Sequence, residues 1–101
     1  MDISIKNKTI TSIAISNTEM AWAIEDANLV LEYLKNENKV VLGGDILNNE
    51  LEYNYDSWYY NVKDNQNSRF DVEYSIDVAI KYISNYIKDN GNAFFVVFVI
   101  D

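Results

Sequence analysis

Carboxylates, tyrosines and lysines are the side chains this sequence offers for chemistry, because it contains neither histidine nor cysteine. Those two absences remove the commonest general base, the Ser-His and Cys-His nucleophile arrangements, thiolate metal ligation and any disulfide. What remains is a carboxylate pair working as acid and base, for which Glu50 with Glu52 or Asp56 is the candidate. Such a pair needs one member kept protonated by burial or by a neighbouring negative charge, whereas carboxylates beside turns are ordinarily solvated. No Asp-x-Asp-x-Asp-Gly calcium loop, Gly-x-Gly-x-x-Gly turn or P-loop occurs either. The residue types therefore point away from an enzyme, and they imply no cofactor and no metal.

The charge balance points toward a protein partner. Sixteen acids stand against eight Lys and Arg, a net charge of -8. Residues 23–37 and 38–62 each hold four acids and one base, so six of the eight excess negative charges fall in that middle stretch. A surface of this sign repels phosphate backbones and anionic membranes and steers a basic protein toward it, so neither nucleic acid nor membrane is expected as a partner. The N-terminal MDISIKNKTI lacks the pattern of a secretory signal, and no apolar run approaches the roughly 18 residues of a membrane span, so a cytoplasmic location is expected. A chain of 101 residues with 49% hydrophobic and 14% aromatic content folds as a single domain, residues 1–101.

The elements that position these side chains can be read from periodicity. Ile3 and Ile5 alternate with polar neighbours, and Ile13 and Ile15 continue the alternation, which permits short extended segments. From about Ala23 to Asn36, Ile24, Ala27, Leu31 and Leu34, with Val30 beside them, make one stripe of a helix. Lys39 to Leu42 reads as a strand, Gly43-Gly44-Asp45 marks a bulge or close backbone approach, and Ile46-Leu47 resumes the apolar run. Asn48-Asn49 is a turn, Leu51 to Tyr55 a strand, Asp56-Ser57 a second turn and Trp58 to Val62 a third strand, giving an antiparallel meander. Residues 63–69 form a polar loop, the most mobile internal segment expected, with Ser68 and Asp71 placed to cap the next helix. That helix runs from about Asp71 to Asp89 on the stripe Ile76, Ala79, Ile80, Ile83 and Ile87, flanked by Tyr82 and Tyr86, and Gly91 ends it. The apolar run from Ala93 to Ile100 is a buried central strand. The class is α+β: a small, mostly antiparallel sheet, the central meander plus the C-terminal strand, packed against two helices.

The first helix, the Val40–Leu47 strand, Tyr55-Asp56-Ser57-Trp58, the Tyr74-Ser75…Ala79…Tyr82-Ile83…Tyr86 helix and the terminal apolar strand, taken in this order, resemble the bacterial immunity protein 40 family over roughly Ile13 to Ile100. The matching residues are Gly43, Gly44, Asp45, Trp58, Ser75, Tyr82 and Tyr86. The resemblance implies a non-enzymatic inhibitor that binds a cognate toxin domain and blocks its active site or the approach of substrate. A basic toxin such as a nuclease would suit the charge, with the antidote a monomer or a weak homodimer. On the residues themselves, Gly43 and Gly44 shape backbone, Tyr82 and Tyr86 belong to the core or its rim, and Trp58 is either a packing plug or an interface anchor. The outward candidates for toxin contact are Asp45, Glu50, Glu52, Tyr53, Asp56 and Tyr59, with Trp58 added as the anchor. The alternative is an adaptor or assembly subunit that uses an exposed aromatic sheet face.

Overall fold

The computed structural model describes residues 2–62 and 68–100. It opens with a hairpin of β1 (Asp2–Ile5) and β2 (Lys8–Thr11), in which Ile5 pairs with Lys8. Lys6 and Asn7 both take positive φ, 52° and 62°, as the primed two-residue turns of twisted hairpins require. Ile3 and Ile10, each 3% exposed, pair across it and carry it onto the core.

A five-stranded sheet follows: β3 (Ile13–Ala14), β4 (Met20–Ala23), β5 (Val41–Leu47), β6 (Tyr53–Tyr59) and β7 (Phe95–Ile100). The spatial order is β3-β4-β7-β5-β6, and every neighbouring pair is antiparallel. The C-terminal strand is central, as its unbroken apolar run predicts. It sits between β4 and β5, which are joined by α1 (Ala27–Asn36) after one tight helical turn at Ile24–Asp26. The other helix, α2 (Ser68–Asn90), lies between β6 and β7 in the chain. Both crossovers lay their helices on one face, so the architecture is α+β with a mostly antiparallel sheet against two helices.

The helices bury Ala27, Val30, Leu31 and Leu34 from α1 and Ile76, Ala79 and Ile83 from α2, as their periodicity predicts, while Ile80 and Ile87 are only partly buried and Val72, outside the expected stripe, is fully buried. Each large side chain so buried is worth about 1.5–3 kcal/mol. Asn38, at φ 60°, ends α1 in the left-handed region, and Gly91, at φ 86°, ends α2 with its N–H donating to Ile87 O at 2.7 Å. Ser75, fully buried, accepts from Val41 N at 3.0 Å and donates to Val72 O at 3.1 Å, which pins α2 to the start of β5.

The expected meander differs in its second half. Asp56-Ser57 is not a turn, and Tyr53–Tyr59 is one continuous strand whose residues 56–59 pair with Ile46 to Gly43. The irregularity lies at Tyr55 instead, where the register slips between Ile46 and Leu47 and Tyr55 adopts φ 58°. Val41–Leu47 is one strand, and its glycines bring the expected irregularity and close approach: the register against β7 shifts between Val41 and Gly43, and a Cβ at Gly43 would run into the Trp58 carbonyl oxygen. The strand Met20–Ala23 has no counterpart among the expected elements, of which only the first helix reaches it, at Ala23. Of the expected polar loop, residues 63–67 and the Ser68 side chain lie outside the described residues, while Arg69 belongs to α2.

Candidate partner-binding site

One face of the sheet meets the helices and the other does not. On the helix side stand Trp58, stacked on Tyr82 of α2 with ring centroids 4.8 Å apart, and Phe98, edge-on to Trp58 at 6.1 Å. Tyr60 joins them, its hydroxyl donating to the Asp71 carboxyl at 2.8 Å. Burial, then the hydrogen bond to Asp71 and its charge, push the Tyr60 phenol up to about 12. Trp58 is 6% exposed, so its ring is a packing plug between sheet and α2. Asp56 also turns to this side: Tyr86 Oη donates to it at 2.7 Å and Asn54 Nδ2 at 3.3 Å. A half-buried carboxylate with these partners fixes the bulged end of β6 to α2 rather than projecting from a turn.

The opposite face carries Ala21 and Val97 from the centre of the sheet, with Asp45 and Leu47 on β5 and Tyr53 and Tyr59 on β6. It divides into two halves. Around Ala21, Leu47 and Val97, all nearly fully buried, the side chains of Ile15, Leu51 and Phe95 close a small second core. Tyr53 Oη donates to Glu19 Oε2 at 3.1 Å and ties the β3–β4 loop to β6 across this cluster. The other half is open. Tyr59 is 82% exposed and Val99 46%, both directly opposite Gly43 in the register, so two apolar walls flank a position that has no side chain. Leu42, Gly43, Gly44, Asp45, Trp58, Tyr59 and Val99 line the resulting depression of about 180 Å³.

Asp45 stands between the two halves. Burial, and after it the nearby Glu19 carboxylate, hold its carboxyl above the usual range. Among the described residues the ion pairs lie elsewhere: Lys6 with Glu32 at 3.1 Å, Lys8 with Asp26 at 3.7 Å and Arg69 with Glu73 at 3.6 Å. The hairpin lysines thus offset acids of the first helical segment, whereas Asp45, Glu19, Glu50 and Glu52 keep no basic partner among the described residues. Glu50 and Glu52 occupy the β5–β6 turn, which Asn48 organises by accepting from Glu50 N at 2.9 Å and Glu52 N at 3.0 Å. No cluster of three or more His, Cys, Asp or Glu capable of holding a metal occurs among the described residues. The arrangement can offer a partner rings, a shallow depression and unneutralised carboxylates.

A family model, Immunity protein 40, matches residues 9–100. The chain belongs to that family. No curated protein and no solved structure matches it. The immunity protein 40 match starts within the first hairpin, a little before the resemblance visible in the sequence, and takes in both helices and the five-stranded sheet. Membership supports a surface that meets a protein, and it attaches no role to any single side chain.

The structure gathers Asp45, Tyr53 and Tyr59 on the open face and places Glu50 and Glu52 at its rim. Trp58 and Asp56 point to the helices. Two residues of this face, Val99 and Glu19, and the exposed Tyr55 in the bulge of β6 lay outside the sequence-derived set. Val99 was read as core because its apolar run is unbroken, yet β4 pairs only with Phe95 to Val97, so the end of β7 passes beyond its neighbour. Glu19 reaches the face through a loop contact with no signature in local sequence. Tyr55 was placed in a regular strand, but the bulge turns it out to 97% exposure.

Proposed function

We propose that this chain is a non-catalytic antidote that binds a cognate bacterial toxin domain and lays the open face of its sheet over that domain's active site or substrate path. The observation that carries this reading is the exposed end of that face, where Tyr59, Val99 and Asp45 meet solvent while both helices pack on the other side. Exposed aromatic anchors supply affinity, and unneutralised carboxylates speed encounter with a partner of opposite charge. The partner on this reading is basic, a nuclease being the class that best matches it, and the antidote acts in the cytoplasm, where such a toxin would reach its substrate. About 800 Å² of this side would be hidden in a standard interface.

The test is direct. The purified chain is mixed with the toxin domain encoded beside its gene, and complex formation and toxin activity are followed together. A 1:1 complex with activity suppressed supports occlusion. Full activity within a stable complex, or no complex at all, contradicts it. An assembly subunit that pairs through the same face would be dimeric without any toxin, which the mass of the isolated chain in solution decides.

A further inference from the structure

The depression over Gly43 has a composition that selects its occupant. Tyr59 and Val99 stand opposite Gly43 in the register, on either side of the glycine backbone, and Asp45, Leu42 and Trp58 complete the lining. About 180 Å³ is well below the roughly 300–1,000 Å³ of small-molecule sites, so the space suits one inserted side chain. An aliphatic stem would be matched by Val99 and bare backbone, a planar cation by the face of Tyr59, and a forked donor by the carboxylate. Lysine meets the charge but lacks the plane and the fork; a neutral apolar side chain leaves Asp45 facing it unsatisfied. We infer that this depression is the receptor for a single arginine side chain projecting from the toxin domain, with Tyr59 stacking on the guanidinium and Asp45 accepting its hydrogen bonds.

The inference rests on the proposed occlusion by this sheet face and adds the chemistry of its central contact. Gly43 is fixed by the fold independently of binding, because a Cβ there would run into the Trp58 carbonyl oxygen. The depression therefore exists before any partner arrives, and no side chain must move to open it.

The full-length chain, isotopically labelled, is titrated by NMR with N-acetyl-arginine methylamide, and with the lysine and norleucine analogues as controls. The expected result is a set of amide shifts centred on Gly43, Gly44, Asp45, Tyr59 and Val99, largest for arginine, smaller for lysine and absent for norleucine. Shifts spread equally over Glu50, Glu52 and the first helix, or equal shifts with norleucine, would overturn it. In a second arm the toxin domain is bound to Asp45→Asn, Tyr59→Leu and Val99→Phe, the last narrowing the depression without altering charge. Each is expected to weaken binding about tenfold or more. If the toxin domain covers this face yet binds all three variants as tightly as the parent, the arginine site is wrong and occlusion stands. If it binds the helical layer instead, both fall.

Discussion

The indole of Trp58 occupies the space in which a Cβ on Gly44 would stand. The two residues are directly paired across β5 and β6, and a methyl at Gly44 would overlap the six-membered ring while lying 2.8 Å from the Val97 carbonyl oxygen. Glycine is therefore required by a close approach, and what approaches is the plug that joins the sheet to α2.

Gly44→Ala is accordingly expected to destabilise the fold by about 1–3 kcal/mol, the usual cost of overfilling a packed core. Trp58→Leu alone should cost a comparable or larger amount through lost contacts with Tyr82 and Phe98. In the double variant the two costs should fall short of their sum, because removing the ring relieves the main clash. Urea unfolding of the four proteins measures this, and strict additivity would show that Trp58 is not what excludes the side chain.

Much of this architecture was legible in the sequence, and the failures have definite physical causes. Both helices and the central C-terminal strand were readable because their apolar spacing reflects burial against a single layer or between two neighbours. The β1–β2 hairpin carried only a weak signal, since Lys6-Asn7 turns tightly without the glycine that usually announces such a turn. Asp56-Ser57 reads as a turn by residue type, yet Asp56 is fixed within β6 by Tyr86, a partner 30 positions away in the chain. The open face was half legible: alternation sends Tyr59 to the side opposite Trp58, but only the pairing of β7 reveals that Val99 shares it.

Alkaline pH should unfold the protein in part through Tyr60. Its phenol is raised to about 12 from 10.0, so the folded chain holds this proton more tightly than the unfolded chain does. The stabilisation is complete below about pH 10 and is lost as pH rises toward 12. Tyr60→Phe removes this step from the stability profile between those limits and, by taking a hydrogen bond from the buried Asp71 carboxyl, costs about 1–2 kcal/mol at neutral pH. Denaturation midpoints measured at pH 7, 10 and 11.5 test both statements, and parallel profiles for the two proteins would contradict them.

Asp45 is expected to trade stability for binding. Its carboxyl is held above the usual range by burial and by Glu19, so the unfolded chain ionises at lower pH and this group's contribution falls as pH rises past 3.8. Asp45→Asn should therefore raise the melting temperature at pH 7, with the gain vanishing near pH 3, while toxin binding weakens. A variant that is less stable at pH 7 would mean that the carboxylate performs a structural task.

The rim charges should act on rate. Glu50→Lys with Glu52→Lys reverses two exposed charges at the β5–β6 turn, and the Asn48 contacts to the two backbone amides survive the change. Association with a basic toxin should slow by about tenfold at low salt and by less at 150 mM, with dissociation little altered. Equal association rates at low salt would remove electrostatic steering from the mechanism.

Occlusion by the sheet face is tested most directly by comparing two equal charge insertions on opposite layers. Tyr59, 82% exposed, stands on the open face, and Tyr74, 50% exposed, stands on α2. With affinity for the toxin domain as the readout, Tyr59→Asp is predicted to weaken binding by at least 100-fold, about 2.7 kcal/mol, and Tyr74→Asp to leave it unchanged. Loss of binding in Tyr74→Asp with Tyr59→Asp unaffected would place the interface on the helices and contradict it.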